Sequence, residues 1–338
     1  MIGAGIAGLS CARRLTQAGH AVTVFDKGRG VAGRTSTRRV DGEPARGWDH
    51  GATCFLAEEA AFLPEVARWL DAGVVAPWPI APAAPGEEEL DAHTLLAPGF
   101  SSSWVGVPSM SAIARFLSEE LVDAQVLTGQ RVTSLEQAED GWQLTAEQHD
   151  GASSRLGPYD ELVVTAPPVQ SRALLADLAP DLAELLFQVW MQPCWTLLAV
   201  SEAVDDPPAI RRIGPGHLPD GVSTLSCEDS KPGRLAHPAG LRWILHTTAG
   251  WAQQHLEEEV ESVLPKLRAL AEQAIGVPLT QAQAHRWRYA RVHRPLGRDC
   301  VRDASARLTL AGDFCRGDGV EHAWLSGLAA AESILSTG

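Results

Sequence analysis

Lysine is nearly missing from this chain of 338 residues: Lys27, Lys231 and Lys266 are the only three, and the other 25 basic residues are arginine. Tyrosine is scarcer still, at Tyr159 and Tyr289. The six cysteines, Cys11, Cys54, Cys194, Cys227, Cys300 and Cys315, form no Cys-x-x-Cys pair. They read as free thiols, with neither a disulfide framework nor a zinc site. No His-x-x-x-His or His-Glu-x-x-His occurs, so no metal site is expected. No run approaches the roughly 20 apolar residues of a membrane span. No basic stretch precedes an apolar one at the N-terminus, so a secretory signal is not expected and a cytoplasmic location is. Positive charge is in deficit, with a net −14. That argues against a nucleic-acid binder relying on phosphate neutralisation. What remains is a globular chain, 45% hydrophobic and 21% charged, long enough for about two domains with their own cores.

The chemistry begins at once. Gly3-Ala4-Gly5-Ile6-Ala7-Gly8 runs into apolar positions Leu9, Ala12 and Leu15 at helical spacing, and Gly19 suits the residue after a helix end. Ala21 to Phe25 is a short apolar, β-branched run ending at Asp26. Strand, Gly-x-Gly-x-x-Gly, helix, strand and acid make up a dinucleotide-binding unit. Gly3 permits the tight turn, Gly5 lets backbone approach a pyrophosphate, and Gly8 lets the helix pack closely. The helix start at Ile6 and Ala7 offers unpaired N–H groups to phosphate, and Asp26 can hold ribose hydroxyls. Only Met1 and Ile2 precede Gly3, few for a central strand, so a few N-terminal residues are expected to be missing.

Lys27 to Thr35 forms a Gly/Arg loop, with Gly33-Arg34 suited to wrapping FAD and Arg34 to its pyrophosphate. Trp48-Asp49-His50-Gly51-Ala52-Thr53 reads as a turn whose small residues let backbone lie close to a flat ring. Residues 76–92, rich in Pro, Ala and Glu, read as an exposed excursion. A helix is expected from Ser111 to Leu121. A meander of three strands should follow, near Arg131–Leu135 (carrying Val132, a further cofactor candidate), Gly141–Glu147 and Glu161–Thr165. Helix-like stretches cover 171–190 and 252–275, and strand-like ones 195–201, 242–247 and 283–290. The closing segment is a strand, Arg307–Ala311, then Gly312-Asp313, then Gly319 ahead of a helix from Val320 or Glu321 to about Leu335. Asp313 can bond a ribitol chain, and the helix start can face the flavin edge where charge collects on reduction.

These blocks resemble the glutathione-reductase-type FAD oxidoreductases of the amine-oxidase branch, and most closely the bacterial renalases. The anchors are Gly3–Gly8, Phe25-Asp26-Lys27 with Gly33-Arg34, Asp49-His50-Gly51-Ala52, Val105–Pro108, His285–Ala290, and Gly312-Asp313 through Val320–Gly327. The resemblance implies an α/β fold with non-covalent FAD. Its Rossmann-like FAD-binding domain would comprise 1–75, 104–170 and 296–338, and its discontinuous α+β substrate domain 76–103 and 171–295. It also implies oxidation of dihydronicotinamides reduced at C2 or C6 to NAD(P)+, with O2 returning the flavin to its oxidised form and yielding H2O2. The expected partners are thus a dihydronicotinamide dinucleotide and O2, with neither nucleic acid nor membrane. Amine oxidases of the branch share an aromatic cage, usually with Tyr, and a Lys near the flavin; no Lys lies in a matching block here. Oxidation of a primary amine or polyamine is the alternative. A flavin-binding module without turnover is a third reading.

On the substrate side, strand alternation over His285–Tyr289 sets Arg286 and Arg288 on one face and Trp287 and Tyr289 on the other. The aromatic face is either a pocket wall or core. Arg286, Arg288, Arg291, Arg294 and Arg298 form a basic cluster, either a salt-bridged surface or a seat for a diphosphate. His246 is either a structural histidine or part of the pocket.

Overall fold

The computed structural model describes residues 1–40, 42–78, 91–96, 102–202, 212–213 and 218–337. Most of the Pro/Ala/Glu excursion, 79–90, lies outside them. The chain divides into two compact units: Met1–Gly33, Ala114–Met191 and Val292–Gly338 form the first, and Arg34–Ile113 with Gln192–Arg291 the second. The division differs from the expected one. Residues 34–75 and 104–113 group with the second unit, and 171–191 and 292–295 with the first. The cause is packing: Leu175, Ala179, Ala183 and Leu186 are buried in the same core as Ile2, Phe25 and Leu308.

The first unit is the Rossmann half. Val22–Asp26 runs parallel to Ala124–Thr128. Leu162–Val164 runs parallel to Leu308–Leu310, which Val301–Asp303 flanks antiparallel. Ile2 bridges in parallel to both Phe25 and Val164 and so joins the two groups with a single residue. Leu162–Val164 and Leu308–Leu310 are buried at every position, as strands covered on both faces must be. The helices Ile6–Gln17 and Val320–Leu335 pack on one another. The Ser10 hydroxyl donates to the Trp324 carbonyl at 2.9 Å, and a Cβ on Gly327 would strike the Ala7 carbonyl.

The expected meander needs a correction. Gln130–Ala138 and Gly141–Gln148 are joined by Ser153–Tyr159, and Leu162–Val164 belongs to the parallel sheet instead. Ser153–Tyr159 is polar, largely exposed and contains Gly157-Pro158, so it carries no apolar alternation to find. The expected helix over 171–190 is two, Pro168–Leu175 and Pro180–Leu185. Each has proline at its first turn, where a missing N–H costs nothing. The stretch 252–275 likewise splits into Ala249–Gln254, capped by the Thr248 hydroxyl, and Val260–Ile275.

The second unit is built on a five-stranded sheet in the order Arg212–Ile213, Val222–Cys227, Leu241–Thr247, Trp190–Ser201, Leu279–Arg294. Alternation gives it two faces. Trp195, Leu197, Trp243 and Leu245 meet Val263, Leu267 and Ala271 of the long helix. Leu198, Val200 and Ile244 on the opposite face meet Trp48. Two of the buried indoles bond their N–H groups to backbone: Trp48 to the Ala199 carbonyl at 3.2 Å and Trp195 to that of His255 at 3.0 Å. Trp48 ends the hairpin of Arg38–Val40 and Glu43–Trp48. Phe55–Ala57 and Val75–Pro77 flank Ser102–Gly106 in a small second sheet.

Gly327→Val forces the two helices of the first unit apart. Overpacking of this kind costs about 1–3 kcal/mol, so the urea midpoint should fall accordingly, whereas Gly19→Asn, at an open helix end, should change it little.

Candidate functional site

Each glycine of the opening turn does a different job. Gly3 has a φ of +110°, and a Cβ there would strike the Thr165 hydroxyl. A Cβ on Gly8 would strike the Gly3 carbonyl, whereas one on Gly5 would meet nothing within 4 Å. The first fixes the turn, the third lets the helix close on it, and the second faces open space where a phosphate group can approach backbone. Asp26 braces this turn: Oδ2 accepts from the Ala4 N–H at 2.7 Å and Oδ1 from the Gly28 N–H at 2.6 Å. Each oxygen retains a lone pair for a ribose hydroxyl. The Ala32 N–H donates to the Ala4 carbonyl at 2.9 Å, so the Gly/Arg loop returns over the turn.

The closing segment adds a second set. Gly312 has a φ of +157°, a Cβ there would meet the Phe314 ring, and its N–H donates to the Ser326 hydroxyl at 3.0 Å. Asp313 opens the turn Asp313–Arg316 and is buried. Gly319, with a φ of +114° and open space beside it, caps Val320–Leu335 with no side-chain cap, and Glu321 lies buried in the first turn. An open glycine turn, a braced acid and an uncapped helix start are what a flavin dinucleotide needs, so the residues fit FAD. Lys27 donates to Gln170 at 3.0 Å, and Val132 is part of the core.

In the second unit the backbone at 49–52 is held from several sides. The Arg34 carbonyl accepts the Ala52 N–H at 2.9 Å, and a Cβ on Gly51 would strike that carbonyl. The Arg34 guanidinium donates to the Ala290 carbonyl at 3.2 Å. The His50 carbonyl accepts from Trp287 Nε1 at 3.0 Å and lies 3.4 Å from His246 Nε2, whose Nδ1 is 3.2 Å from the Thr224 hydroxyl. The imidazoles of His50 and His285 and the Trp287 indole stand edge-on or tilted to one another, with centroids 4.5–5.3 Å apart. Among the described residues, His50 Nδ1 is buried without a hydrogen-bond partner. Burial, aided by His285 and Arg38, pushes the His50 imidazole down to about 4, and burial with Arg38 lowers that of His285. This wall is therefore uncharged at neutral pH.

Arg286 faces elsewhere. Its Nη1 donates to the carbonyls of Leu256 and Glu258 at 2.7 and 3.0 Å. Arg288 pairs with Glu257 at 2.6 Å, and Arg294 donates to the Gln188 carbonyl at 2.7 Å. Tyr289 is half-buried.

The residues that sequence reasoning missed lie beneath the wall. Asp49 is wholly buried, and its Oδ2 takes Lys231 at 2.9 Å and Arg234 at 2.5 Å. Its Oδ1 accepts from the Thr37 hydroxyl at 2.7 Å and the Met110 N–H at 3.0 Å. Glu228 accepts the Asp49 N–H at 3.1 Å and pairs with Lys231 at 2.5 Å. The two cations hold the Asp49 carboxyl far below the carboxylate range despite burial, while burial raises Glu228. The available signal was the rarity of lysine: one of only three is buried here.

Comparison with known proteins agrees with this construction. Residues 1–71 match the family model described as an NAD(P)-binding Rossmann-like domain, and residues 89–335 that of flavin containing amine oxidoreductase. Over 45 residues the chain is 53% identical to a Mycobacterium tuberculosis protein provisionally named a flavin-containing monoamine oxidase; the match spans 13% of this chain and 10% of that one. Cyclohexylamine oxidase from Brevibacterium oxydans shares the fold, with a TM-score of 0.69 at 14% identity over 99% of this chain and 98% of that one. So does an Exiguobacterium protein provisionally described as a protoporphyrinogen oxidase, with a TM-score of 0.65 at 13% identity over 100% and 98%.

Removing Lys231 leaves two buried carboxylates sharing Arg234. Lys231→Met should destabilise by about 3–5 kcal/mol in urea unfolding. The depressed His50 value implies a pH effect of known sign: the unfolded chain binds the extra proton between about 4 and 6.5. Stability should thus be full above pH 6.5 and fall by up to about 3 kcal/mol as pH drops toward 4. His50→Gln should flatten that slope.

Proposed function

Because the chain belongs to the flavin-containing amine oxidoreductases and is an enzyme with FAD as its cofactor, we propose that it is an oxidase of the renalase type. Its substrates would be dihydronicotinamide dinucleotides reduced at C2 or C6, converted to NAD(P)+. FAD, when bound, would supply the two-electron oxidant for hydride removal from the ring, and O2 would restore it, yielding H2O2. Gly3, Gly5, Gly8 and Asp26, with Gly312, Asp313 and Val320, would hold it.

The observation that carries the reading is the uncharged imidazole–indole wall. A misreduced dihydropyridine is flat and neutral, and its oxidation removes no O–H or N–H proton. It needs a surface to stack on and a fixed orientation, not a base. Trp287, locked by its N–H to the His50 carbonyl, offers such a surface, and its indole face also suits the pyridinium product. His50 stays neutral. The carboxylate acting on it, Asp49, is spent on Lys231 and Arg234 and is not free to draw in an ammonium group. The family match itself favours a second reading, oxidation of a primary amine or polyamine.

Anaerobic stopped-flow mixing separates the two. The C2- or C6-reduced NAD(P) isomers should bleach the flavin at least tenfold faster than ordinary NADH, and amines should not bleach it. Bleaching by amines alone, or equally by every NADH isomer, removes the proposal. Trp287→Ala, losing both the stack and the lock, should slow bleaching by about 10- to 100-fold, and Trp287→Phe by less.

A further inference from the structure

Of the arginines that looked suited to a diphosphate, Arg286 and Arg294 are tied to backbone carbonyls and Arg288 to Glu257; another arginine, outside that cluster, is not so tied among the described residues. Arg38 begins the hairpin Arg38–Val40/Glu43–Trp48 and pairs in register with Trp48. Its backbone is fixed on both sides. The neighbouring Thr37 hydroxyl is bonded to Asp49 at 2.7 Å and accepts the Ser111 N–H at 3.3 Å. A Cβ on Gly47 would strike the Arg38 carbonyl, so the two strands lie pressed together there. Alternation then sets Arg38 and Trp48 on one face of the hairpin and the Thr37–Asp49 bond on the other. The side chain is exposed and makes no hydrogen bond or ion pair among the described residues. Arg39 and Arg46 of the same hairpin are also exposed and without such partners among the described residues. A chain of net charge −14 thus carries three guanidinium groups on one short hairpin. The strand that bears Arg46 leads, two residues past Trp48, directly to His50 and the wall.

Resting on the dihydronicotinamide reading, we propose that Arg38 is the specificity-determining residue for the diphosphate of the dinucleotide substrate. It would bind one phosphate through its planar fork while the ring lies against Trp287, with Arg39 and Arg46 adding field. A guanidinium on a rigid strand is pre-organised for bidentate phosphate contact, which an ammonium cannot reproduce. The enzyme would then distinguish a dinucleotide from a bare dihydropyridine by charge at one end and by stacking at the other. The positive charge of Arg38 also acts on both His50 and His285, which puts it within electrostatic reach of the wall.

The test uses the FAD-loaded full chain and two donors reduced at the same ring carbon: the dihydro-NAD isomer and a 1-benzyl-dihydronicotinamide without phosphate. Arg38→Ala should lower the ratio of kcat/KM for the dinucleotide over the phosphate-free ring about tenfold. It should also weaken binding of NAD+, followed by flavin fluorescence, about tenfold, with a shallower salt dependence. Arg38→Lys should fall between. Arg288→Ala, at an arginine already paired with Glu257, should leave the ratio alone. An unchanged ratio in Arg38→Ala, or an equal fall in Arg288→Ala, overturns the assignment while the dihydronicotinamide reading stands. A wild type that neither binds NAD+ nor is bleached by either donor removes that reading and this inference together.

Discussion

One buried carboxylate organises the second unit. Asp49 accepts from two cations, a hydroxyl and a backbone amide, and its own N–H is held by Glu228. Those partners come from three stretches of chain: around Thr37, at Met110, and over Glu228 to Arg234. Two acids and two bases balance, which lets four charges lie out of water; remove one and the others are stranded. An apolar cluster of the same volume could be as stable, but it would not fix the direction of the backbone at 49–51. That direction aims the His50 carbonyl at Trp287 and His246 and brings Gly51 against Arg34. The network thus converts buried charge into the placement of a neutral surface.

The neutrality has a chemical consequence of its own. Enzymes that abstract protons tune a carboxylate or an imidazole toward neutral pH. Here His50 and His285 are moved away from it, and Asp49 is committed to two cations. A wall with so little acid–base capacity suits chemistry in which stacking and orientation carry the rate. The family supplies the oxidant, and these side chains supply selectivity.

Much of the first unit was legible in the sequence because its constraints are local. Gly3, Gly5 and Gly8 sit within six residues, each spacing has one steric meaning, and Asp26 and Gly319 fall where the same logic requires. The buried triplets Leu162–Val164 and Leu308–Leu310 were visible as strands, but which strands they pair with is not written in apolar runs. The first was therefore assigned to the wrong sheet. The second unit was harder to read. Its ion network joins residues up to 185 apart, and nothing in the neighbourhood of Lys231 or Glu228 marks them as buried. Arg286 and Trp287 illustrate the limit. Alternation separated their faces correctly but could not say which face met a carbonyl cluster and which met His50.

The way the first unit is threaded bears on how the protein is made. Its opening helix rests on the helix Val320–Leu335, and Leu162–Val164 pairs with Leu308–Leu310. Both partners, Leu308–Leu310 and Val320–Leu335, are made about 300 residues after the glycine turn. The nascent chain must therefore carry its glycine turn, apolar and unsupported, across that interval. That interval, rather than the finished fold, is when the protein is most exposed to aggregation and most in need of a chaperone.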